Sequence, residues 1–330
     1  MTHLNRRTLL AGAAATGALA ATASVAQEDK VQAKPDLTGK SVLITGCSSG
    51  FGRLAAESFA RSGAKVFATM RNLPRPEADE LSKLAATENL DITIIEIDVT
   101  SDAQVETGVG VALGQTGGTL DVLISNAGIS YGGPIEIQDM AATSRMFDTN
   151  VFGPHRMARA VLPAMRKAKS GLIINVSSQL GKVIVPAYGQ YSPTKFALEA
   201  MSESLAYELV PHGVDVTIIQ PGGYPTKIWE NANANAMELL ARAEDKHTSG
   251  YTQLIESLML RGGGGTTDPM DVPNAMAQVI AMPAGTRPLR RPVHPGLKPQ
   301  VPLNDLTAKV QTQWLGASPY GPWIKAVHNG

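Results

Sequence analysis

Short apolar, β-branched runs alternate with helix-length segments along most of this chain, and this alternation restricts the fold more than any other feature. The runs lie at 41–45, 65–69, 92–97, 121–124, 172–176 and 214–219. Strands that are apolar on both faces belong to a covered sheet, and helix-length connections between them indicate parallel pairing. Apolar residues also recur at three- and four-residue steps over 51–61, 102–113, 143–166 and 192–209. The sequence therefore predicts an α/β fold built on a single doubly wound parallel sheet with helices on both faces.

The composition excludes several classes of protein. The chain has 330 residues, of which 43% are hydrophobic and 18% charged, so it can bury a large core and is too apolar to be disordered. Lys plus Arg and Asp plus Glu both number 29, so nothing draws the protein towards nucleic acid. Cys47 is the only cysteine, which excludes an internal disulfide and a thiolate metal cluster, and we expect no metal.

The first 26 residues have the layout of an export signal. Arg6-Arg7 precede an alanine-rich, uncharged stretch from Thr8 to Gln27, in which Ser24-Val25-Ala26 offers a cleavage site. The layout predicts a twin-arginine-like signal peptide over 1–26, a polar linker over 27–36 and a periplasmic mature protein. A membrane-anchored or cytoplasmic protein is less favoured, because alanine, glycine and threonine partition weakly into hydrocarbon. We expect no membrane span in the mature chain.

A glycine-rich turn follows the first predicted strand. It reads Thr45-Gly46-Cys47-Ser48-Ser49-Gly50-Phe51-Gly52. Glycines at a strand-to-helix turn let the backbone approach a pyrophosphate, and the amides that begin the next helix attract that anion. The turn indicates a dinucleotide site in a Rossmann-type sheet, although glycines also simply build tight turns.

Further motifs follow in a fixed order along the chain. They are Ser125-Asn126-Ala127-Gly128, Thr149-Asn150-Val151, Asn175-Val176-Ser177-Ser178 and Tyr191-Ser192-Pro193-Thr194-Lys195. Together with the glycine turn they resemble the short-chain dehydrogenase/reductase family, over roughly Leu37 to Lys227. The resemblance implies one Rossmann-fold domain over 37–330, with a substrate loop and a C-terminal extension over about 227–330. It also implies an oxidoreductase that moves hydride between nicotinamide and a carbonyl or secondary alcohol.

The resemblance implies that Tyr191 is the catalytic acid/base, with Lys195 beside it and Ser178 hydrogen-bonded to the substrate oxygen. Tyr191 and Lys195 are four residues apart, which places both side chains on one face of a helix. A nearby ammonium stabilises a phenolate, so we expect Lys195 and the positive nicotinamide to lower the pKa of Tyr191 from about 10.

Two residues near this pair have local consequences. Pro193 is tolerated only in the first turn of a helix, which predicts that the helix begins near Tyr188 to Gln190. Asn150 matches the family asparagine that holds a water on the proton path from the lysine. The alternative for Asn150 is a structural side chain at a helix bend, since asparagine favours local hydrogen bonds.

Arg71, at the end of the second predicted strand, determines the expected cofactor. An acidic residue there would bind the adenosine ribose, whereas an arginine attracts a 2′-phosphate, so we expect NADP, with NAD less favoured. Ser49 either adds a donor to the same phosphate or caps the following helix. The resemblance assigns cofactor contacts to Gly46, Ser48, Ser49, Gly50, Phe51, Gly52, Arg71, Asp98, Val99, Asn126, Ala127, Gly128, Tyr191, Lys195, Pro221, Gly222 and Thr226.

The substrate is expected over the nicotinamide, between the segment after Ser178 and the loop after Thr226. The expected lining is mainly apolar and lacks an arginine for a carboxylate, which favours a hydrophobic small-molecule ketone or alcohol. This lining consists of Leu180, Val183, Ile184, Val185, Tyr188, Gly223 and Tyr224. Two other functions stay open on the same fold: a non-catalytic nucleotide-binding redox sensor, and an epimerase or dehydratase that uses the same tyrosine.

Beyond the sixth strand the pattern loosens. We predict a helix over 234–260 and a proline-rich tail whose aromatic residues pack back on the fold or on a partner; these are Trp314, Tyr320 and Trp323. Members of the family commonly pair through helices that match 143–166 and 192–209, so the resemblance leaves a homo-oligomer open, and the sequence does not determine the oligomeric state.

Overall fold

The computed structural model describes residues 35–259 and 263–328 and contains one parallel sheet. The strands lie in the order β3-β2-β1-β4-β5-β6-β7, and every neighbouring pair is parallel. Their bounds are β1 Ser41–Ile44, β2 Lys65–Met70, β3 Ile92–Glu96, β4 Val122–Ser125, β5 Gly171–Val176, β6 Val214–Pro221 and β7 Arg290–Val293. The predicted signal peptide and most of the predicted linker lie outside the described residues.

The helices cover both faces of this sheet. They are α1 Gly50–Arg61, α2 Pro76–Glu88, α3 Asp102–Gln115, α4 Met140–Phe147, α5 Gly153–Ala168, α6 Tyr191–Leu209, α7 Ile228–Arg242, α8 Asp245–Thr248, α9 Thr252–Met259, α10 Asp271–Ala281, α11 Val301–Leu315 and α12 Gly321–His328. Within the two described ranges, none of them combines the length and the apolar character that crossing a bilayer requires.

Alternate residues of each central strand enter opposite apolar layers. In β5, Leu172 and Ile174 pack with α1, α2 and α10, whereas Ile173 packs with α3, α5 and α6. Both layers exclude water from the strands, which explains why the strands are continuously apolar in sequence. The predicted doubly wound α/β fold is confirmed.

The strand order reverses between β1 and β4. β1 pairs with β2 on one side and with β4 on the other, so the connections leave the sheet in opposite directions there. Such a reversal opens a crevice at the carboxyl ends of the strands, which is where doubly wound sheets bind ligands. The glycine-rich turn begins at this crevice.

The edge strand β7 was not predicted from the sequence. Its residues, Arg290-Arg291-Pro292-Val293, carry charge and a proline instead of an apolar run. Proline is tolerated at an edge, where its missing amide is not needed for a second neighbour. Arg290 Nε lies 2.8 Å from Glu199 Oε2, and its guanidinium also binds Glu203, so α6 supplies two buried acidic partners for the strand.

The helix predicted over 234–260 was wrong in its extent. The structure divides this segment into α7, α8 and α9, and Ala243 and Glu244 between the first two are extended. Leu239 of α7 and Ile255 of α9 both join Tyr131 and Met146 in a third apolar cluster, separate from the two layers on the sheet. Helical periodicity cannot show such a break, because both parts keep an apolar face.

The C-terminal tail packs back on the domain. Ile324 of α12 is buried, and His328 Nε2 lies 2.7 Å from the hydroxyl of Tyr207 on α6. Trp314 and Tyr320 are instead exposed. The helices α2, α10, α11 and α12 were not predicted from the sequence.

Candidate active site

The glycine-rich turn is a tight cradle at the end of β1. Gly46 has a φ of +75° and Gly50 a φ of +57°, conformations that side chains rarely adopt. A Cβ on Gly52 would lie 2.5 Å from both Gly46 O and Asn126 Nδ2, and one on Gly46 would lie 2.9 Å from Ala127 Cα. Glycine is therefore required at these positions for steric reasons.

Asn126 joins this turn to β4. Its Nδ2 donates to Thr45 O at 2.9 Å and to Gly46 O at 3.3 Å, and its main-chain amide donates to Thr45 Oγ1 at 3.0 Å. The amide of Ala127 donates to the same Oγ1 at 3.0 Å. These bonds hold the turn against the segment after β4, so both borders of the crevice are fixed.

The start of α1 fits an anionic ligand. Ser49 occupies the N-cap position, but its hydroxyl makes no capping hydrogen bond, and the first turn contains no acidic side chain. Uncapped amides and the positive end of the helix dipole together form an anion site. The glycine cradle and this helix start therefore fit a dinucleotide pyrophosphate.

Ser178, Tyr191 and Lys195 come together where β5 ends and α6 begins. Gln190 is the N-cap of α6 and Tyr191 its first residue, so Pro193 lies in the first turn and the predicted helix start is confirmed to within a residue. Lys195 Nζ lies 5.5 Å from the centroid of the Tyr191 ring and donates to Val176 O at 2.9 Å.

The protonation of this group follows from its burial. Burial raises the pKa of Tyr191 to about 12, and a hydrogen bond with Ser178 opposes that rise. Burial also lowers the pKa of Lys195 to about 8, against the opposing charge of Glu199. In the protein alone the pKa of Tyr191 is therefore raised and not lowered as expected from the sequence, because desolvation outweighs the hydrogen bond with Ser178.

Asn150 lies in a π-helical segment, Asp148–Phe152, which joins α4 to α5 within the helix that the sequence predicts over 143–166. Its Oδ1 accepts from Ile129 N and its Nδ2 donates to Ile129 O, both at 2.9 Å, while Nδ2 also donates to Thr194 Oγ1 at 3.1 Å. A Cβ on Gly128 would lie 3.4 Å from Asn150 Oδ1 and 3.8 Å from Lys195 Nζ. Asn150 thus makes structural bonds and also lies beside the lysine.

The residues assigned to the adenosine side of the cofactor differ in exposure and in their hydrogen bonds. Arg71 is exposed after β2, and its carbonyl accepts a hydrogen bond from Arg75 at 3.3 Å. The carboxylate of Asp98 accepts from the amide and hydroxyl of Thr100, at 2.9 and 2.7 Å. Val99 is buried in the core, so only its main chain is placed to meet a cofactor.

The loop after β6 crosses the glycine turn. A Cβ on Gly50 would lie 3.5 Å from Thr226 Cβ, which brings the predicted carboxamide ligand to the cradle. Pro221 ends β6, and Gly222 donates its amide to Val293 O at 3.0 Å. Gly222 also packs against His294, where a Cβ would approach to 2.5 Å.

Only some of the residues expected to line the substrate site are accessible to a ligand. Ile184 and Val185 are exposed, and Val183, Tyr188 and Gly223 are half-buried, whereas Leu180 is buried. Tyr224 differs most. It lies in the core with its hydroxyl 3.1 Å from Asp271 and its ring packed on Phe51 at 5.6 Å, because the loop turns inwards at this residue.

Two groups near the site were missed by the sequence analysis. Trp229 packs on Tyr188, and the pair Glu199 and Arg290 lies one turn beyond Lys195. Glu199 could have been noticed in the sequence, because it is an acidic residue four positions after the catalytic lysine. The sequence near Glu199 does not indicate its partner, Arg290 on β7. Among the described residues, no group of three or more His, Cys, Asp or Glu side chains is arranged to hold a metal.

Comparison with known proteins gives a consistent result. A short chain dehydrogenase family profile matches residues 40–237. The uncharacterized oxidoreductase YusZ of Bacillus subtilis is 40% identical over 262 residues, covering 78% of this chain and 90% of that protein. Human retinol dehydrogenase 8 is 36% identical over 261 residues, covering 76% of this chain and 80% of that protein.

A solved structure agrees with the fold. A short chain dehydrogenase/reductase from Burkholderia phymatum in complex with NAD superposes with a TM-score of 0.67 at 22% identity, covering 86% of this chain and 97% of that chain. The family profile spans more than half of this chain, and the relatives are aligned over most of their length. The chain belongs to the short-chain dehydrogenase/reductase family of oxidoreductases.

Proposed function

We propose that the protein is an NADP-dependent oxidoreductase that transfers hydride between nicotinamide and an apolar carbonyl compound or secondary alcohol. The observation that carries this proposal is the convergence of Ser178, Tyr191 and Lys195 beside the glycine cradle. A sensor or scaffold has no need of a buried phenol, hydroxyl and ammonium brought together at the mouth of a dinucleotide crevice.

The cradle of Gly46, Gly50 and Gly52 and the uncapped start of α1 would hold the pyrophosphate, and Thr226 would meet the nicotinamide end. When bound, the nicotinamide donates or accepts the hydride. The remaining tasks fall to side chains of this chain, which hold the substrate oxygen and move its proton.

In the direction of reduction, the neutral phenol of Tyr191 donates its proton to the substrate oxygen. The hydroxyl of Ser178 donates a second hydrogen bond to the same oxygen as negative charge develops there. The high pKa of Tyr191, about 12, keeps the proton on the phenol until this charge appears. The ammonium of Lys195 then stabilises the phenolate that remains.

Reprotonation of Tyr191 requires a route to solvent. Lys195 Nζ and Asn150 Oδ1 both lie beside Gly128, at 3.8 and 3.4 Å from where a Cβ on that residue would stand. The ammonium of Lys195 would give a proton to the phenolate, and a water molecule bound between Lys195 and Asn150 would then return a proton from solvent to the neutral amine. Asn150 is suited to this role because its bonds to Ile129 fix the direction of its carbonyl oxygen.

The direct test is oxidation of NADPH by a panel of aldehydes and ketones. Tyr191→Phe removes only the acidic hydroxyl, so we expect kcat to fall by about 100- to 10,000-fold. Tyr320→Phe, at an exposed position in the tail, is the matched control and should retain full activity. A Tyr191→Phe variant that kept the activity of the wild type would contradict the assignment of Tyr191 as the acid/base.

Arg71 supports the preference for NADP because it is exposed where the adenosine 2′-phosphate would lie, at the end of β2. Arg71→Asp should lower kcat/KM for NADPH and raise it for NADH, shifting their ratio by about 100-fold or more. Arg159→Asp, on the exposed surface of α5, controls for the change of charge. An unchanged ratio in Arg71→Asp would mean that the arginine does not select the cofactor.

We further propose that the protein is exported with its cofactor already bound, through the Arg6-Arg7 signal. Twin-arginine signals carry folded proteins, which reconciles an external location with a cofactor made inside the cell. Acid extraction of mature protein from the periplasm should release one nucleotide, and Arg6→Lys with Arg7→Lys should retain the precursor in the cytoplasm. An empty periplasmic protein would contradict this proposal.

A further inference from the structure

Trp229 is fixed beside the candidate active site without belonging to any of the family motifs. It is the second residue of α7, and its main-chain amide donates to Thr226 O at 3.3 Å. Its indole packs on the ring of Tyr188, with 6.4 Å between ring centroids and 75° between planes. The carbonyl oxygen of Tyr188 in turn accepts a hydrogen bond from the main-chain amide of Tyr191 at 3.0 Å. Trp229 therefore connects the loop that carries the predicted carboxamide ligand with the segment that precedes Tyr191.

The orientation of the indole is set by its surroundings. Nε1 donates to Tyr224 O at 2.8 Å, which prevents the ring from turning over. Gly263 lies against the ring, where a Cβ would approach Cγ to 3.0 Å, and a Cβ on Gly223 would lie 3.9 Å from Cζ2. The glycines allow close packing on the indole, so its position is preorganised before any substrate arrives.

The backbone that carries Tyr188 is also constrained. Its backbone forms an isolated parallel bridge with Gly133, and the next residue, Gly189, has a φ of +52° and packs on Gln138. The carbonyl of Tyr188 also accepts the amide of Tyr191, so this fixed backbone adjoins the catalytic residue. The Trp229 indole is thus held by a hydrogen bond to the main chain, and the Tyr188 ring projects from a constrained backbone.

Two planes at 75° enclose a corner. A flat ring that stacks on one of them meets the other edge to face, and these are the two arrangements that aromatic pairs favour. A puckered ring of the same size makes neither the stacked nor the edge-to-face aromatic contact. An anionic group in this corner would lose water without gaining a hydrogen bond from the ring faces.

We propose that Trp229 and Tyr188 form an aromatic corner of the substrate cleft that selects flat carbonyl compounds without an anionic group, aromatic or conjugated, over puckered ones of equal size. This inference rests on the proposed function, because it assumes that the carbonyl is reduced at Tyr191. Trp229 is a specificity-determining residue in this scheme and takes no part in proton transfer.

The test compares two methyl ketones with the same number of carbons, acetophenone and cyclohexyl methyl ketone, as substrates for NADPH oxidation. Trp229→Leu and Trp229→Phe both lose the hydrogen bond to Tyr224 O, so the difference between them isolates the aromatic face. The measured quantity is kcat/KM for acetophenone divided by kcat/KM for cyclohexyl methyl ketone. We expect Trp229→Leu to lower this ratio by about three- to tenfold, because KM for acetophenone rises, and we expect Trp229→Phe to preserve it.

The same ratio is then compared between Tyr188→Leu and Tyr188→Phe, which tests the other ring of the corner. This second pair of variants replaces the first if Trp229→Leu does not fold. Trp314→Leu, on the exposed face of α11, is the control and should leave the ratio unchanged. A ratio unaffected by both leucine variants would overturn the inference while leaving the proposed function intact. Wild-type protein that oxidises NADPH with neither ketone, nor with any carbonyl of the wider panel, would instead refute the proposed function.

Discussion

Replacing Lys195 by methionine should remove most of the activity without lowering the free energy of unfolding. Burial lowers the pKa of Lys195 from 10.5 to about 8. Each pKa unit corresponds to about 1.4 kcal/mol, so holding this charge in the folded protein costs about 3 kcal/mol at neutral pH. Methionine is similar in shape and removes that cost.

The substitution also has an unfavourable part. Val176 O, which accepts from Lys195 Nζ at 2.9 Å, would lose its partner in the interior, at a cost of about 1–3 kcal/mol. The two effects nearly cancel, so the free energy of unfolding should change by less than about 2 kcal/mol. The rate of carbonyl reduction should fall by at least about 100-fold, because the phenolate of Tyr191 loses its stabilising charge.

The pH dependence provides a sharper signature. Between pH values of about 8 and 10.5 the folded protein has released the Lys195 proton and the unfolded chain still holds it. Stability rises with pH wherever the unfolded state binds more protons, so this residue should add up to about 3 kcal/mol of stability across that window. The increase should be absent from Lys195→Met.

Urea unfolding of the wild type, Lys195→Met and the exposed control Lys83→Met, at neutral and alkaline pH, measures these quantities beside the rate of NADPH oxidation. The reasoning would be refuted by a Lys195→Met protein destabilised by more than about 3 kcal/mol, or by one that keeps the alkaline increase in stability. An active Lys195→Met protein would refute the catalytic role.

Three further predictions concern cofactor binding, stability and pH. Gly52→Ala should raise the Kd for NADPH at least about tenfold, since its Cβ would meet Gly46 O at 2.5 Å, and cofactor titration checks this. Arg290→Met should lower the free energy of unfolding by about 3–5 kcal/mol, because two buried carboxylates lose their partner, whereas the exposed-pair control Arg242→Met should change it by less than about 1 kcal/mol. Equal denaturation midpoints for these two variants would contradict the importance of the buried pair. In the wild type, kcat/KM for reduction should fall as pH rises through about 8, where Lys195 loses its charge, and a profile flat to alkaline pH would contradict that assignment.

Much of this protein could be predicted from the sequence because the signals are local. β-branched runs, helical periodicity and the glycine turn depend on backbone preferences within a few residues, and they predicted six of the seven strands of the sheet, β1 to β6. Pro193 predicted the start of α6 for the same reason, since proline restricts its own turn. The spacing of Tyr191 and Lys195 predicted that their side chains share a face of that helix.

Tertiary structure alone decided the features that depend on partners distant in the chain. β7 has no strand signal of its own and forms because β6 and the acidic residues of α6 accept it. The raised pKa of Tyr191 follows from burial, which no spacing along the chain reveals. The meeting of Trp229 with Tyr188 likewise needs the loop after β6 to fold over the sheet. Desolvation and pairing between distant segments are properties of the packed molecule, so they enter only when the chain has folded.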